Sequence, residues 1–220
     1  MSMTPEYKHW QKELKGRIQS AQIKAAFKVN AELIALYWEL GREILQKEKV
    51  ASWGEGLIPQ LSKDLLGIFP DMKGFSKRNL FYIRQWVIFY SQAPIVQQAV
   101  AQSPATNEQP IEILQQPVAQ LPPLFSSVPW GHHLQIVTKC KEVDEALFYL
   151  SQTAAHSWSR SVLVHQIESR LYKRKGGAIT NFSHTLPKPQ SDLAKELLKD
   201  PYKFDFLGLG EEYKEKDLGN

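Results

Sequence analysis

Residues 69–90, FPDMKGFSKRNLFYIRQWVIFY, decide how this chain is read. Pro70, Asp71 and Gly74 interrupt the helical pattern before them, and Ser76 can accept a hydrogen bond from an unpaired backbone N–H at the start of a new helix. Leu80, Ile83 and Val87 then recur at helical spacing as an inward stripe, while Lys77, Arg78 and Asn79 crowd the first turn and Arg84 follows one turn later. Upstream, Leu57, Ile58, Leu61, Leu65 and Leu66 give a shorter amphipathic pattern over 53–66. The two together read as a helix, a turn and a second helix whose basic first turn could meet phosphates or bases. The turn is longer than the minimal three or four residues of such motifs, and a basic helical hairpin is also compatible with a merely solvated surface.

Working outward, residues 5–49 are helical in character, as one long helix or two. Phe27, Ile34, Trp38 and Leu45 lie near one apolar face, and Gly16 and Gly41 are the weak points. That face is too wide to stay in water, so Leu36, Tyr37 and Trp38 are expected in the core or in a homodimer contact. Residues 91–129 hold eight Gln and seven Pro and read as a linker or insertion. The chain restarts at Pro129-Trp130-Gly131, with helices expected over 132–139, 143–155 and from Ser159 to about Lys173. This organisation divides it into 1–90, the 91–129 insertion, 130–189, and a connecting segment 190–220. The fold class is mainly α, a helical bundle with a helix-turn-helix-like unit.

Charge is sorted along the chain. The net charge of +4 is modest, but residues 71–90 carry four basic groups against Asp71, and residues 156–176 carry five against Glu168. No Lys or Arg occurs between Arg84 and Lys139, and residues 191–217 hold five basic side chains against eight acidic ones. Clustering of this kind favours an anionic partner. Phe75-Ser76-Lys77-Arg78-Asn79-Leu80 and Trp158-Ser159-Arg160-Ser161-Val162-Leu163 share an aromatic, a serine, a basic residue and a leucine at equal offsets, a faint internal repeat with a cation at each helix start.

The candidate DNA-contacting set is therefore Ser76, Lys77, Arg78, Asn79, Tyr82, Arg84, Gln85, Arg160, Arg170, Lys173 and Arg174. The cations would neutralise phosphates, and Asn79, Tyr82 and Gln85 would reach bases or sugars. The single cysteine, Cys140, excludes an internal disulfide framework or a multi-cysteine zinc site and reads as a half-buried helical thiol. Without a secretory leader or an apolar run of membrane-spanning length, a cytoplasmic protein with no membrane partner is expected. His132 and His133 are neighbours and point apart on a helix, and His156 and His165 lack companions at ligand spacing. Glu13-Leu14-Lys15 and Glu212-Tyr213-Lys214 spell a bare Glu-x-Lys without the buried strand and acidic partner that metal-dependent phosphodiester chemistry needs.

Taken in order, LYWELGREI at 36–44, Trp53-Gly54, Phe69-Pro70, GFSKRNL at 74–80, PWGHH at 129–133, WSRSVLVHQIESRL at 158–171, Asn181-Phe182 and KDPYKFDFLGL at 199–209 resemble the N-terminal region of the YhcG family. In these bacterial proteins a helical, DNA-binding-like domain precedes a PD-(D/E)xK nuclease domain. The resemblance implies that KDPYKFDFLGL leads toward that nuclease domain and that any Mg2+ belongs to it; this chain stops at Asn220, where the domain would begin. The expectation is a DNA-targeting module without catalytic residues or a cofactor, in a setting of recombination, repair or defence. The alternative is an interaction or oligomerisation domain that docks a separate nuclease domain or another acidic partner.

Overall fold

Pro5 at the first position of a helix, where its missing N–H costs nothing, opens α1 (Pro5–Val50), which continues without interruption for 46 residues. At about 1.5 Å per residue it is about 69 Å long. The computed structural model describes residues 4–50, 56–91, 121–175 and 191–207; they form helices and turns with no strand. Gly16 does not break α1, and Gly41 lies in close contact with α3. A Cβ at Gly41 would lie 2.5 Å from Val87 Cγ2 and 3.1 Å from the Ile83 carbonyl oxygen, so the missing side chain lets the two helices meet. From Ile23 onward α1 is absorbed in the core: Phe27, Leu33, Ile34, Tyr37, Trp38 and Ile44 are all buried, with Leu36 half-buried. The face expected to seek the core or a second copy is covered by this chain itself. Before Ile23 the helix is exposed apart from the half-buried Leu14 and Gln19.

α2 (Leu57–Ile68) leads through residues 69–76, including a 3-10 turn at Lys73–Phe75, into α3 (Lys77–Tyr90). Ser76 caps α3, its hydroxyl oxygen accepting from the Asn79 backbone N–H at 3.4 Å. The turn is held by Ser62 Oγ, which donates to the Phe75 carbonyl at 2.9 Å. Gly74 sits where a Cβ would approach the Tyr37 hydroxyl to 2.7 Å. Leu80, Ile83, Trp86, Val87 and Tyr90 are buried. Trp86 is the hub, packing edge-on against Trp38 at 5.2 Å and Trp130 at 5.3 Å between ring centroids. Buried aromatics of this size contribute large apolar areas, and edge-on pairs add about 0.5–1.5 kcal/mol each.

The end of the expected insertion belongs to the core. Pro122 and Pro123 open α4 (Pro123–Ser126), and Phe125 and Val128 are fully buried. Asn30 of α1 fastens this turn by donating from Nδ2 to the carbonyls of Ser126, at 2.7 Å, and Val128, at 3.1 Å. The rest of the insertion, residues 92–120, lies outside the described residues. α5 (Trp130–Lys139) and α6 (Val143–His156) follow, and α6 is buried without a gap from Ala146 to Ala154. One hydrophobic cluster runs from Leu33 through Trp86 and Trp130 to Leu163 and Ile167, so the segments on either side of the insertion share a core.

The helix expected from Ser159 to Lys173 is two. α7 (Arg160–Glu168) is capped by Ser159, and α8 (Leu171–Arg174) starts after Arg170, whose φ of 54° is left-handed. The break is held by Tyr149, whose hydroxyl donates to the Gln166 carbonyl at 3.2 Å and accepts from the Tyr172 N–H at 3.1 Å. Residues 191–207 form α9 (Asp192–Lys199) and α10 (Pro201–Phe206). Leu193 and Leu197 of α9 bury themselves against Phe27 of α1. Asp200 stands ahead of Pro201 and accepts from the Tyr202 N–H at 3.0 Å, and Lys203 turns inward to donate to the Leu197 carbonyl. Burial pushes the Asp200 carboxyl up and brings the Lys203 ammonium down to about 8. No helix among the described residues is long and apolar enough to cross a membrane.

Candidate nucleic-acid interface

The first turn of α3 forms one side of an open groove of about 480 Å3, whose other walls are Leu134, Gln135 and Thr138 of α5 and Tyr202 of α10. Arg78 and Tyr82 face this space as a pair: the guanidinium lies 5.6 Å from the Tyr82 ring centroid, with Nη2 donating to the hydroxyl at 3.2 Å. The bond to Tyr82, aided by the nearby Tyr202, holds Arg78 even more firmly in its charged form. None of the groove's lining residues is acidic.

The expected residues separate into four groups. Lys77, Arg78 and Gln85 are exposed on α3, with Lys77 Nζ 6.0 Å from the Phe81 ring, and Tyr82 is half-buried. Arg170, Lys173 and Arg174 are exposed around α8, with Arg174 Nη2 donating to Ser169 Oγ at 3.1 Å. Thr138, in the last turn of α5, lines the groove, and its neighbour Lys139 pairs with Glu168 at 2.9 Å, two positions before Arg170.

Asn79 and Arg84 are drawn into the fold. Asn79 is 3% exposed. Its Nδ2 donates to the Gly74 carbonyl at 2.6 Å and its Oδ1 accepts from the Trp130 indole N–H at 2.8 Å, so the turn, α3 and α5 are tied through one side chain that cannot also read a base. Arg84 Nε pairs with Glu48 Oε2 at 2.6 Å and joins α3 to α1. Ser76 is occupied as the helix cap.

Arg160 meets an anion supplied by the chain itself. Its backbone N–H, at the start of α7, donates to Glu196 Oε1 at 2.9 Å, and its side chain lies over Gly131 in a pocket shared with Lys195, Lys199 and Asp200. The repeated Ser-cation helix starts therefore have different surroundings: the first opens on the groove, and the second is closed by a carboxylate from α9. Sequence reasoning missed Tyr202, Gln135 and Thr138. The aromatic residues of the KDPYKF segment were the only available signal, and nothing in the local pattern marks α5's outer face.

The buried histidines are pins. His133 Nε2 faces the Phe125 carbonyl at 3.0 Å, and His132 Nε2 faces the Trp158 carbonyl at 3.1 Å and Glu196 Oε2 at 3.4 Å. Burial lowers their pKa values to about 4 and about 3 respectively. Both rings are therefore neutral at ordinary pH, and the contact with Glu196 is not an ion pair. Cys140 is more deeply placed than half-buried: it caps the end of α5 at 5% exposure, and burial pushes its thiol up to about 12. Among the described residues no group of three or more His, Cys, Asp or Glu side chains is placed to hold a metal ion.

The architecture defines an all-α domain in which two helical segments share one aromatic core and present an acid-free groove. Residues 13–174 match the DUF1016 N-terminal domain, and the chain belongs to that family. It is 29% identical over 221 residues to the Escherichia coli (strain K12) protein named "Putative nuclease YhcG", a match covering 91% of this chain. The chain spans 56% of that relative's length. No solved structure matches it.

Proposed function

We propose that this chain is the DNA-targeting module of a YhcG-like nuclease and leaves phosphodiester cleavage to a separate catalytic domain. The observation that carries this reading is the pairing of exposed Lys77 and Arg78 with a groove that has no acidic lining residue, with Arg170 and Lys173 also exposed around α8. Guanidinium and ammonium groups at such a surface neutralise phosphates and release condensed counterions, which gives affinity that falls with salt. The relative's name supports a nucleic-acid setting. Any Mg2+ would belong to the catalytic domain, since the chemistry of cleavage needs converging carboxylates. Fluorescence anisotropy of the purified chain with labelled DNA tests the reading: binding that weakens with salt and is reduced in a Lys77→Ala, Arg78→Ala variant supports it, and no binding at low salt overturns it.

A second reading, as a protein-interaction or oligomerisation domain docking a separate nuclease domain or a second copy, draws on a different part of the molecule than expected. The 27–45 face is used internally, but Tyr7, Trp10 and Ile18 are 39%, 50% and 50% exposed on the first turns of α1, among Lys8, Lys12 and Lys15. Sedimentation of the chain alone and with the catalytic region of a relative distinguishes this reading: a concentration-independent monomer that forms no complex refutes it.

A further inference from the structure

We propose that the groove between α3, α5 and α10 holds one unpaired nucleotide, so that DNA with a single-stranded branch or end is the preferred substrate class of this module; the proposal rests on the DNA-targeting reading above. A helix that reads duplex DNA inserts its N-terminal turn into a major groove about 12 Å wide, with base-reading side chains projecting from a convex surface. Here the corresponding turn borders a groove. Tyr202 and the α5 residues Leu134 and Thr138 flank it, and Asn79, the side chain best suited to an adenine edge, is committed to Gly74 and Trp130 in the core.

The groove has the features that unpaired bases use. The Arg78–Tyr82 pair, joined by the hydrogen bond from the guanidinium to the phenol hydroxyl, places a cation beside an aromatic ring, and Tyr202 lines the same space from another element. Aromatic rings and guanidinium planes stack on exposed base faces, which paired bases in a duplex do not offer. Gln135 adds an amide with both donor and acceptor capacity for a base edge. The volume of about 480 Å3 lies within the range of small-ligand pockets and suits a single nucleotide. Lys77, exposed beside the groove, is placed for the flanking phosphate.

The test compares anisotropy titrations of the full chain against a blunt duplex and the same duplex with a forked single-stranded end. A 2-aminopurine at the first unpaired position provides an independent stacking signal. The proposal predicts tighter binding to the fork by about five-fold or more, the size expected of a base–aromatic stack, and a change in 2-aminopurine fluorescence on binding. Tyr82→Ala should weaken fork binding more than blunt-duplex binding, so that the ratio of the two affinities falls toward one, and Tyr82→Phe, which keeps the ring, should retain most of that ratio; unchanged far-UV circular dichroism checks folding. Equal wild-type affinity for the two DNAs, or a 2-aminopurine signal indifferent to binding, overturns the nucleotide site and leaves the targeting reading intact. Failure to bind either DNA at low salt overturns both.

Discussion

Replacing Asn79 by alanine should destabilise the fold rather than selectively damage DNA recognition. The substitution strips two buried groups of their partners: the Gly74 carbonyl, now accepting at 2.6 Å, and the Trp130 indole N–H, now donating at 2.8 Å. Trp130 is fully buried, so its N–H cannot turn to bulk water. At roughly 1–3 kcal/mol for each buried polar group left unsatisfied, the expected loss is about 2–6 kcal/mol. With about 2–4 °C per kcal/mol for a domain of this size, the thermal midpoint should fall by about 4–24 °C. Urea and thermal unfolding followed by tryptophan fluorescence and circular dichroism would measure it. Trp130→Phe removes the donor from the other side, so the double variant should lose less than the sum of the singles, with a coupling of about 0.5–3 kcal/mol. An Asn79→Ala protein that keeps its unfolding midpoint but no longer binds DNA would refute the reasoning and return Asn79 to the surface as a base reader.

Three further outcomes follow from the packing. His132 and His133 have folded pKa values of about 3 and about 4 against 6.5 in a model chain, so the unfolded state takes up more protons as pH falls; stability should be fully present above pH 6.5 and decline between 6.5 and about 3, and a urea midpoint that is flat from pH 7 to 4 would contradict this. Gly41→Ala should lower the midpoint despite the better helix propensity of alanine, because the added methyl meets Val87 and the Ile83 carbonyl where α1 crosses α3; overpacking of this kind costs about 1–3 kcal/mol, and a more stable variant would show that the crossing can open without penalty. Arg84→Ala should cost up to about 1 kcal/mol in unfolding experiments through loss of the Glu48 pair and leave the salt dependence of DNA binding unchanged, whereas a shallower salt slope would restore Arg84 as a phosphate contact.

Local signals in the sequence carried much of the fold. Ser76 and Ser159 both cap helices, and the Leu80, Ile83 and Val87 stripe faces inward as its spacing required. What could not be read there depends on partners distant in the chain. Asn79 lines up with Ile83, Trp86 and Tyr90 at helical intervals, but a polar residue on a buried stripe is assigned to the surface unless its partners are known, and Trp130 is 51 residues away. Arg84 and Glu48, and Arg160 and Glu196, are each separated by 36 positions, too far for spacing arguments to pair them. The left-handed turn at Arg170 carries no glycine to announce it. Gly41 signals a break by propensity, yet it is used as a close helix contact. The composition of residues 91–129 masked Phe125 and Val128, two core residues at the end of a Gln- and Pro-rich stretch. The groove was only partly legible for the same reason: Arg78 and Tyr82 lie on one helix, and Tyr202 joins them only through the tertiary fold.

The most direct measurement of the central claim is the salt dependence of DNA binding by the wild-type chain beside the Lys77→Ala, Arg78→Ala variant. If Lys77, Arg78, Arg170 and Lys173 each meet a phosphate, log K against log salt should have a slope of about −3.6, from roughly −0.9 per contact on duplex DNA, and the variant should retain a slope of about −1.8. Identical slopes for the two proteins, or wild-type affinity indifferent to salt, would contradict the account.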